Sequence, residues 1–557
     1  MKHKKMLKKT KAGRNKIKHL RSSSRGAKKN NFVMRRSKKD DKKQAQKPEK
    51  PLYKSPEELI EERAAFPEAV KKEVAHVRTT LSNTAITKEL KGGRRDLRNL
   101  KIVTIDSEET KDVDDGVSIE KTADGKFILG VHIADVAHYV KEGTELDLEA
   151  YKRGTSVYLV DKVLPMLPQK LSNGICSLNV GEDRFALSVV MTINKKGFVE
   201  KYDIFESLIK VTYKITYKQI TALFEGDNAD YKQSDLEKEY EEHIVDINLM
   251  KELAELRHKM RYQRGAVDFE FPETHVTTDD KGKPVSVEAR SVNFANNIIE
   301  EFMLAANETV AEHFAKLKVP FMFRTHGYPD REKLIALSAS VRGMGYTLRG
   351  DGEDASYAIQ SLLEKAKGKV NEAIISMLTL RAMQKAEYSP VNEGHFGLGA
   401  EYYTHFTSPI RRYPDLFIHR VIKAVLHGKL NVKQEAFWRS ISDDAAKHCS
   451  LTEREAENAE RVYTDRLVAE YMYGFVGDAF NGTICNITGF GIFVRLENSA
   501  EGLVFYNSMP DYMVFDEKKM IAIGETNRRK YAIGDKVRVN VVNCNVKMGQ
   551  IEFHFIK

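Results

Sequence analysis

Four aspartates, Asp106, Asp112, Asp114 and Asp115, lie within ten residues of the segment KIVTIDSEETKDVDDGVSIE, and we call them the acid tetrad. Carboxylates this close repel one another and raise one another's pKa values unless a cation shares the site. Oxygen ligands of this kind suit Mg²⁺ or Mn²⁺. The tetrad is therefore a candidate divalent-metal site, and the alternative is an acidic surface turn.

A pair of arginines, Arg411 and Arg412, follows Ser408-Pro409 in the segment GHFGLGAEYYTHFTSPIRRYPDLFIHR. A residue before proline is restricted to an extended or turn conformation, and guanidinium groups presented there can fork onto phosphate oxygens. The alternative is two surface arginines at the start of a helix.

Alternating apolar residues on both sides of the tetrad predict two strands, with the acids on the loop between them. Further alternation in FILGVHIADV and FALSVVMTI indicates a mixed sheet, and helical periodicity recurs in NNIIEEFMLAANETVAEHFAKL, EAIISMLTLRAMQKA and residues 418–426. A capping box beginning at Ser55 predicts that the ordered chain starts there, and another at Ser234 predicts the start of a helix that ends before Gly265.

The section after Gly474 has short strands separated by Gly and Asn turns, which is typical of a small barrel of the OB type. Phe490 and Phe493 lie on either side of Gly491. On the face of such a barrel they could stack on nucleic-acid bases. The alternative is that one of the two belongs to the barrel core.

The composition, 557 residues with 41% hydrophobic and 31% charged, is that of a soluble globular protein of several domains. No apolar run approaches the roughly 18 residues of a membrane span, and the N-terminus has no apolar signal region. The four cysteines form no C-x-x-C pair, which argues against a zinc site or a disulfide framework. These features predict a reducing, cytoplasmic location without membrane contact.

The net charge of +10 is unevenly distributed. Residues 1–50 contain 21 Lys and Arg against three acidic residues, a net charge of +18, which leaves −8 for the rest of the chain. Such a tail cannot bury a core, so we expect it to be disordered. It is either a non-specific phosphate-binding arm or a solubilising or targeting extension.

Long segments of the chain, among them TIDSEETKDVDD, RGTSVYL, LPMLPQKLSNGICSLN, RGAVDFE and HFTSPIRRYPDL, resemble the ribonuclease II/ribonuclease R family of 3′-to-5′ exoribonucleases. The resemblance covers about residues 60–557 and is greatest to the ribonuclease R branch. It implies an α+β fold, with a mixed-sheet catalytic domain carrying helices and a C-terminal β-barrel OB-fold of the ribosomal-protein S-one type. The expected boundaries are a tail over 1–54, a helical linker over 55–92, the catalytic domain over 93–472 and the barrel over 473–557.

The resemblance also implies roles for the charged site residues. The four aspartates of the tetrad match the acids that organise the divalent metals, and Asp114 matches the one most closely tied to turnover. Arg411 matches the arginine that grips the phosphate at the scissile bond, and we include the adjacent Arg412 in the predicted catalytic set.

The remaining predicted site residues are expected to contact RNA. The resemblance implies that Tyr158 and Phe269 clamp the 3′-terminal bases and set the length of the final product. Glu460 matches a glutamate near the metal site, and Phe490 and Phe493 are the predicted RNA-stacking residues of the barrel. His132 and Asp135 in VHIADV are expected to support the sheet instead.

The implied activity is processive 3′-to-5′ hydrolysis of single-stranded RNA to nucleoside 5′-monophosphates by a two-metal mechanism, with Mg²⁺ or Mn²⁺, in RNA turnover and processing. The expected protein is a cytoplasmic monomer whose partners are single-stranded RNA and the ribosome or the RNA-decay machinery.

One feature departs from the family. Members of the family usually carry two cold-shock OB-folds before the catalytic domain. This chain has the basic tail and a short helical segment in that place. The chain is therefore expected to be either a natural short form or an incomplete gene model. The rival functions are an RNA-binding scaffold with an inactive nuclease core, a translation-associated OB-fold protein and an endonuclease on the same metal site.

Overall fold

The structure is a computed structural model that describes residues 53–557, except residues 270–272, 291–293, 351, 370, 518 and 557 and the side chain of residue 353. The predicted disorder of the basic tail therefore lies outside the described residues. Residues Tyr53–Lys557 form one compact unit. The predicted boundaries at residues 92 and 472 fall inside this unit and stay predictions.

The α-helices of the described residues are, in chain order, α1 (Pro56–Arg63), α2 (Glu68–Ala75), α3 (Asn83–Lys91), α4 (Val136–Tyr139), α5 (Glu145–Arg153), α6 (Tyr217–Glu225), α7 (Gln233–Glu239), α8 (Ile244–Gln263), α9 (Phe294–Leu317), α10 (Arg331–Arg342), α11 (Ala355–Ala366), α12 (Glu372–Ala382), α13 (Tyr413–Leu426) and α14 (Val432–Tyr473). Within this part of the chain, none of them combines the length and the apolar character that a bilayer span requires.

The strands are β1 (Arg95–Asp96), β2 (Val103–Asp106), β3 (Asp115–Lys121), β4 (Phe127–Ala134), β5 (Val157–Tyr158), β6 (Val163–Leu164), β7 (Asp183–Ile193), β8 (Val199–Lys210), β9 (Tyr213–Thr216), β10 (Glu273–Thr278), β11 (Pro284–Arg290), β12 (Phe323–Thr325), β13 (Glu387–Ser389), β14 (Ala479–Ile487), β15 (Gly491–Leu496), β16 (Glu501–Phe505), β17 (Met513–Asp516), β18 (Ile521–Gly524), β19 (Lys530–Ala532), β20 (Lys536–Asn545) and β21 (Gln550–Phe555).

A seven-stranded sheet with the order β1-β8-β7-β4-β3-β2-β9 is the largest sheet of the described residues. Its two outer pairs, β1 with β8 and β2 with β9, are parallel, and the inner pairs are antiparallel. The sheet is therefore mixed, as predicted. Because β2 ends at Asp106 and β3 begins at Asp115, the acid tetrad occupies the connection between two neighbouring strands.

Helix α14 connects the part of the chain that contains this sheet to the C-terminal barrel. Its 42 residues span roughly 60 Å at about 1.5 Å per residue. Along this length it contacts α1, β5 and β13 and then β20 and β21. One hydrophobic cluster runs from α10–α12 through the last turns of α14 into the barrel, so these parts share a core.

The C-terminal section is a closed five-stranded barrel with the order β14-β15-β16-β21-β20, which confirms the predicted OB-like fold. Apolar side chains that alternate along the strands fill its interior, including Ile484, Val494, Val504, Val541 and Phe553. A small sheet of β17, β18 and β19 lies between β16 and β20 in the chain.

Of the two predicted capping boxes, only the first forms. Ser55 accepts from the backbone N–H of Glu58, whose carboxylate accepts from the backbone N–H of Ser55. Ser234 instead lies inside α7, and the helix predicted from it is broken between α7 and α8. At this break Tyr240 and His243 both pack against the ring of Tyr213 on β9, a tertiary contact that local sequence does not specify.

Candidate active site

The main chain of the acid loop is fixed to the end of the sheet by hydrogen bonds. The backbone N–H of Val113 donates to Ser177 Oγ (3.1 Å), and its carbonyl accepts from the N–H of Leu178 (3.0 Å). The carbonyl of Asp114 accepts from the N–H of Ala134 at the end of β4 (2.9 Å). The carboxylates of the tetrad therefore project from a loop whose backbone is held in place.

Asp114 is the most buried acid of the tetrad, with 4% of its surface exposed. Its Oδ1 accepts from the backbone N–H of Ile410 (2.8 Å), whereas its buried Oδ2 has no hydrogen-bond partner among the described residues. Burial raises the pKa of this carboxyl well above its usual value, and the charge of Arg411 opposes the shift. A buried carboxylate oxygen without a partner is costly, and a bound cation would satisfy it.

The pKa values of Asp115 and Asp106 are also raised. Burial and then the charge of Asp106 raise the pKa of Asp115 to about 7. Burial also raises the pKa of Asp106, although its Oδ1 accepts from the backbone N–H of Ser107 and from Thr110 Oγ1. The loop therefore concentrates negative charge in a partly dehydrated place.

A divalent cation fits this donor set. Within the residues that the structure describes, no three His, Cys, Asp or Glu side chains converge tightly enough to form a complete metal cage. Proteins usually bind Mg²⁺ through one or two carboxylates, with waters and substrate phosphates supplying the other oxygens. The unpartnered oxygen of Asp114 and the mutual repulsion within the tetrad suit a cation that is held in this way.

The loop that carries Arg411 faces the tetrad. The Arg411 guanidinium donates to Ser408 Oγ (3.1 Å), and its charge opposes the rise that burial causes in the pKa values of Asp114 and Asp115. Its carbonyl accepts from Thr155 Oγ1 (3.0 Å) and from the N–H of Ser156 (2.9 Å). The structure thus brings Arg411 together with the acids, and its contact with a phosphate stays a prediction.

Arg412 is placed differently from its neighbour. Its Nε and Nη2 donate to the two carboxylate oxygens of Asp415 at 2.9 and 2.8 Å, and the Asp415 side chain is fully buried. Asp415 also accepts from the backbone N–H of Ser408 (2.8 Å). This geometry favours a role in holding the Arg411 loop, and the predicted catalytic role of Arg412 stays a prediction.

Tyr158, on the β5–β6 hairpin, connects two other predicted site residues. Its backbone N–H donates to Glu460 Oε1 on α14 (2.7 Å), and its hydroxyl donates to Asp112 Oδ2 (2.7 Å). The residue is 38% exposed, so part of its ring remains open to a ligand. Burial raises the pKa of Glu460, and the backbone N–H of Tyr158 opposes the shift.

The other predicted RNA-contacting residues are Phe269, Phe490 and Phe493, and they lie in two different parts of the structure. Phe269 is half-buried and packs on the cluster that also receives Val160, two residues beyond Tyr158. In the barrel, Phe490 is 56% exposed and meets the half-buried Phe493 edge to face, with ring centroids 6.2 Å apart. Neither belongs to the buried barrel core, so the alternative that one of them does is wrong. Their contact with RNA stays a prediction.

His132 and Asp135 have the supporting role that we expected. The buried His132 ring lies between Ser118 on β3 and Ser188 on β7, with ring nitrogens 3.0 and 2.8 Å from the hydroxyl oxygens. Asp135 is buried and accepts from Arg94 Nη2 (2.7 Å).

Two residues of α1, Arg63 and Leu59, support the Tyr158 hairpin and were not predicted from the sequence. The Arg63 guanidinium at the end of α1 donates to the carbonyls of Thr155 (2.6 Å) and Arg153 (2.8 Å). Leu59, on the same helix, packs in an apolar cluster with Val157, Leu159, Leu164, Ala456 and Ala459. Thr155 lies within RGTSVYL, so that motif held a signal, but nothing in the sequence of α1 connected it to the hairpin.

The chain matches two known protein domains and several known relatives. The RNB domain matches residues 94–428, and the S1 RNA binding domain matches residues 473–554. Ribonuclease R of Thermotoga maritima is 42% identical over 506 residues, which are 90% of this chain and 68% of the relative. Ribonuclease R 1 of Lactococcus lactis is 41% identical over 466 residues, 83% of this chain and 56% of the relative.

A solved structure shows the same fold. The Mycoplasma genitalium ribonuclease R in complex with ribose-methylated single-stranded RNA superposes with a TM-score of 0.81 at 29% identity, covering 90% of this chain and 77% of that one. The chain therefore belongs to the family of RNB-domain proteins that includes ribonuclease R.

Proposed function

We propose that this chain is a 3′-to-5′ exoribonuclease that hydrolyses single-stranded RNA processively to nucleoside 5′-monophosphates in RNA turnover and processing. The observation that carries the proposal is the shared site of the buried, half-satisfied Asp114 carboxylate and the Arg411 guanidinium that faces it. Family membership supports the direction and the RNA substrate.

The tetrad would hold Mg²⁺ or Mn²⁺ in a two-metal arrangement. When bound, such ions neutralise charge on the phosphate and lower the pKa of water. The chain's own contribution is to keep the carboxylates in a dry, fixed loop. Val113 and Ile410 do this by bonding the loop and Asp114 to neighbouring elements.

Arg411 and Tyr158 would act on the RNA itself. A guanidinium facing the acids can grip the scissile phosphate and stabilise negative charge that develops on its oxygens. The exposed part of the Tyr158 ring can stack on a terminal base, at about 1–3 kcal/mol per base without reading sequence. Water attacks the phosphorus of the last phosphodiester, and the 3′ oxygen of the preceding nucleotide leaves and takes up a proton. One nucleoside 5′-monophosphate is released, and the strand that is one nucleotide shorter moves into the site.

We also propose a substrate, an oligomeric state and a cellular location for the enzyme. The relatives and the barrel support single-stranded RNA as the partner. We further infer a monomer that works in the cytoplasm with the ribosome or the RNA-decay machinery.

The test is incubation of the purified chain with 5′-labelled single-stranded RNA, with Mg²⁺ or with EDTA. With Mg²⁺ we expect full-length RNA to be converted to one short 5′-labelled limit product with few bands of intermediate length, because a processive enzyme shortens each strand to the end before releasing it. EDTA should abolish this conversion, and a 3′-terminal phosphate should delay it. Labelled fragments of internal length from the earliest times would indicate an endonuclease. RNA binding with no cleavage under any metal would indicate an inactive nuclease core.

A further inference from the structure

The Tyr158 side chain has two distinct surfaces. Part of its ring is exposed, whereas its hydroxyl points into the site and donates to Asp112 Oδ2 at 2.7 Å. An ionised carboxylate can only accept a hydrogen bond, so the Tyr158 hydroxyl is the donor of this contact.

Among the described residues, this hydroxyl is the one hydrogen-bond donor to the Asp112 carboxylate. The other tetrad members differ in this respect, since Asp106 accepts from Ser107 and Thr110, and Asp114 accepts from Ile410. Without Tyr158, the Asp112 side chain would be free to rotate about its own bonds.

The donor itself is held firmly in place. The backbone N–H of Tyr158 donates to Glu460 on α14, and the hairpin pairs Tyr158 with Val163. The preceding residues Thr155 and Ser156 bind the carbonyl of Arg411. The hydroxyl thus sits at a fixed position relative to both the acids and the arginine.

We propose that the Tyr158 hydroxyl is a positioning group that holds Asp112 in readiness for a divalent cation, a role separate from that of the ring. This inference rests on the proposed function, because it assumes that the tetrad binds metal. The loss of a partner that orients a metal ligand typically weakens metal binding about 10- to 100-fold. A single neutral donor belongs at the lower end of that range.

The test uses Tyr158→Phe, which keeps the ring and removes only the hydroxyl. Mn²⁺ is titrated into RNA-free protein and followed by calorimetry and by the electron paramagnetic resonance of free Mn²⁺. We expect about tenfold weaker Mn²⁺ binding, a matching increase in the Mg²⁺ needed for half-maximal RNA cleavage, and limit products of unchanged length. Excess metal should restore the rate.

The matched control is Tyr213→Phe. Tyr213 lies on β9, and its buried hydroxyl has no hydrogen-bond partner within the described part of the chain. This variant makes the same chemical change outside the site, so its Mn²⁺ affinity should equal that of the wild type.

A double substitution tests the contact directly. In an Asp112→Ala background the acceptor of the Tyr158 hydroxyl is gone, so adding Tyr158→Phe should weaken Mn²⁺ binding by less than about twofold, well short of the effect in the wild type.

Tyr158→Phe protein that binds Mn²⁺ as tightly as the wild type would overturn the inference and leave the metal site intact. Equal losses in both backgrounds would also overturn it, since the hydroxyl would then act without Asp112. If Asp114→Asn leaves wild-type Mn²⁺ binding unchanged, the tetrad is not the metal site, and both the proposed function and this inference fail.

Discussion

Asp114→Asn separates chemistry from folding more cleanly than any other substitution in the site. An asparagine has nearly the same volume, and its carbonyl oxygen can still accept from the N–H of Ile410, now 2.8 Å from Oδ1. What disappears is one negative charge at the unpartnered Oδ2. If that charge contributes about 4 kcal/mol to the transition state through a bound cation, turnover should fall about 10³-fold, at about 1.36 kcal/mol per decade.

The same substitution should not weaken the metal-free fold. Burial raises the folded-state pKa of Asp114 above its value in the unfolded chain. The ionised carboxylate is therefore a cost to folding at neutral pH, and that cost is relieved as the pH falls. Removing the charge should leave the melting temperature in EDTA at neutral pH equal to or above that of the wild type.

The assay is single-turnover degradation of 5′-labelled RNA at saturating Mg²⁺, together with RNA affinity from fluorescence anisotropy. Asp124→Asn, an exposed acid in the β3–β4 turn, is the control for the chemical change. A rate near that of the wild type would refute the site. A melting temperature lower by several degrees would show that the loss comes from misfolding.

Four further predictions follow from the site and the tail. Tyr158→Ala should lengthen the limit products on a sequencing gel while cleavage persists, because the stacking surface is removed; unchanged products would remove Tyr158 from the clamp. Since burial and Asp106 raise the pKa of Asp115 to about 7, Mn²⁺ affinity should fall as the pH drops below about 7. Calorimetry in buffers of different ionisation enthalpy should detect protons that are released when Mn²⁺ binds. The absence of proton release at about pH 6.5 would contradict the prediction. Arg412→Ala leaves the buried Asp415 carboxylate without its guanidinium partner, so denaturant titration should show an unfolding free energy about 3 kcal/mol below that of the wild type, and a change under about 1 kcal/mol would contradict it. Deleting residues 1–50, with their charge of +18, should weaken RNA binding at low salt and flatten its salt dependence by about 0.7 for each phosphate that the tail neutralises; an unchanged slope would favour a targeting or solubilising extension.

Local patterns were enough for the elements whose burial alternates or recurs regularly. The acid loop was predicted between two strands because the apolar period of two stops at Asp106 and resumes after Asp115, and the structure confirms both ends. The barrel was predicted in the same way. The break at Tyr240 was not, because a contact with Tyr213 on a distant strand decides it.

Other features needed three-dimensional packing or a different signal. Helix α14 was not predicted, although its 42 residues contain no Gly or Pro. The unequal placement of Arg411 and Arg412 was foreshadowed by Asp415, three residues after Arg412, which is the spacing of a helical ion pair. The contact of Tyr158 with Asp112 joins residues 46 positions apart and has no local signature.

The helix α1 also changes where a working fragment of this protein should begin. The RNB match starts at residue 94, beyond α1. A fragment that begins there would lack Leu59 and would expose the hydrophobic surface of Val157, Leu159 and Ala459 that Leu59 covers. Exposed hydrophobic surface of this kind promotes aggregation. It would also remove the Arg63 guanidinium that donates to the carbonyls of Thr155 and Arg153. The smallest soluble fragment with full activity should therefore start at Ser55. A fragment that starts at residue 94 should show lower solubility and lower activity than the full chain.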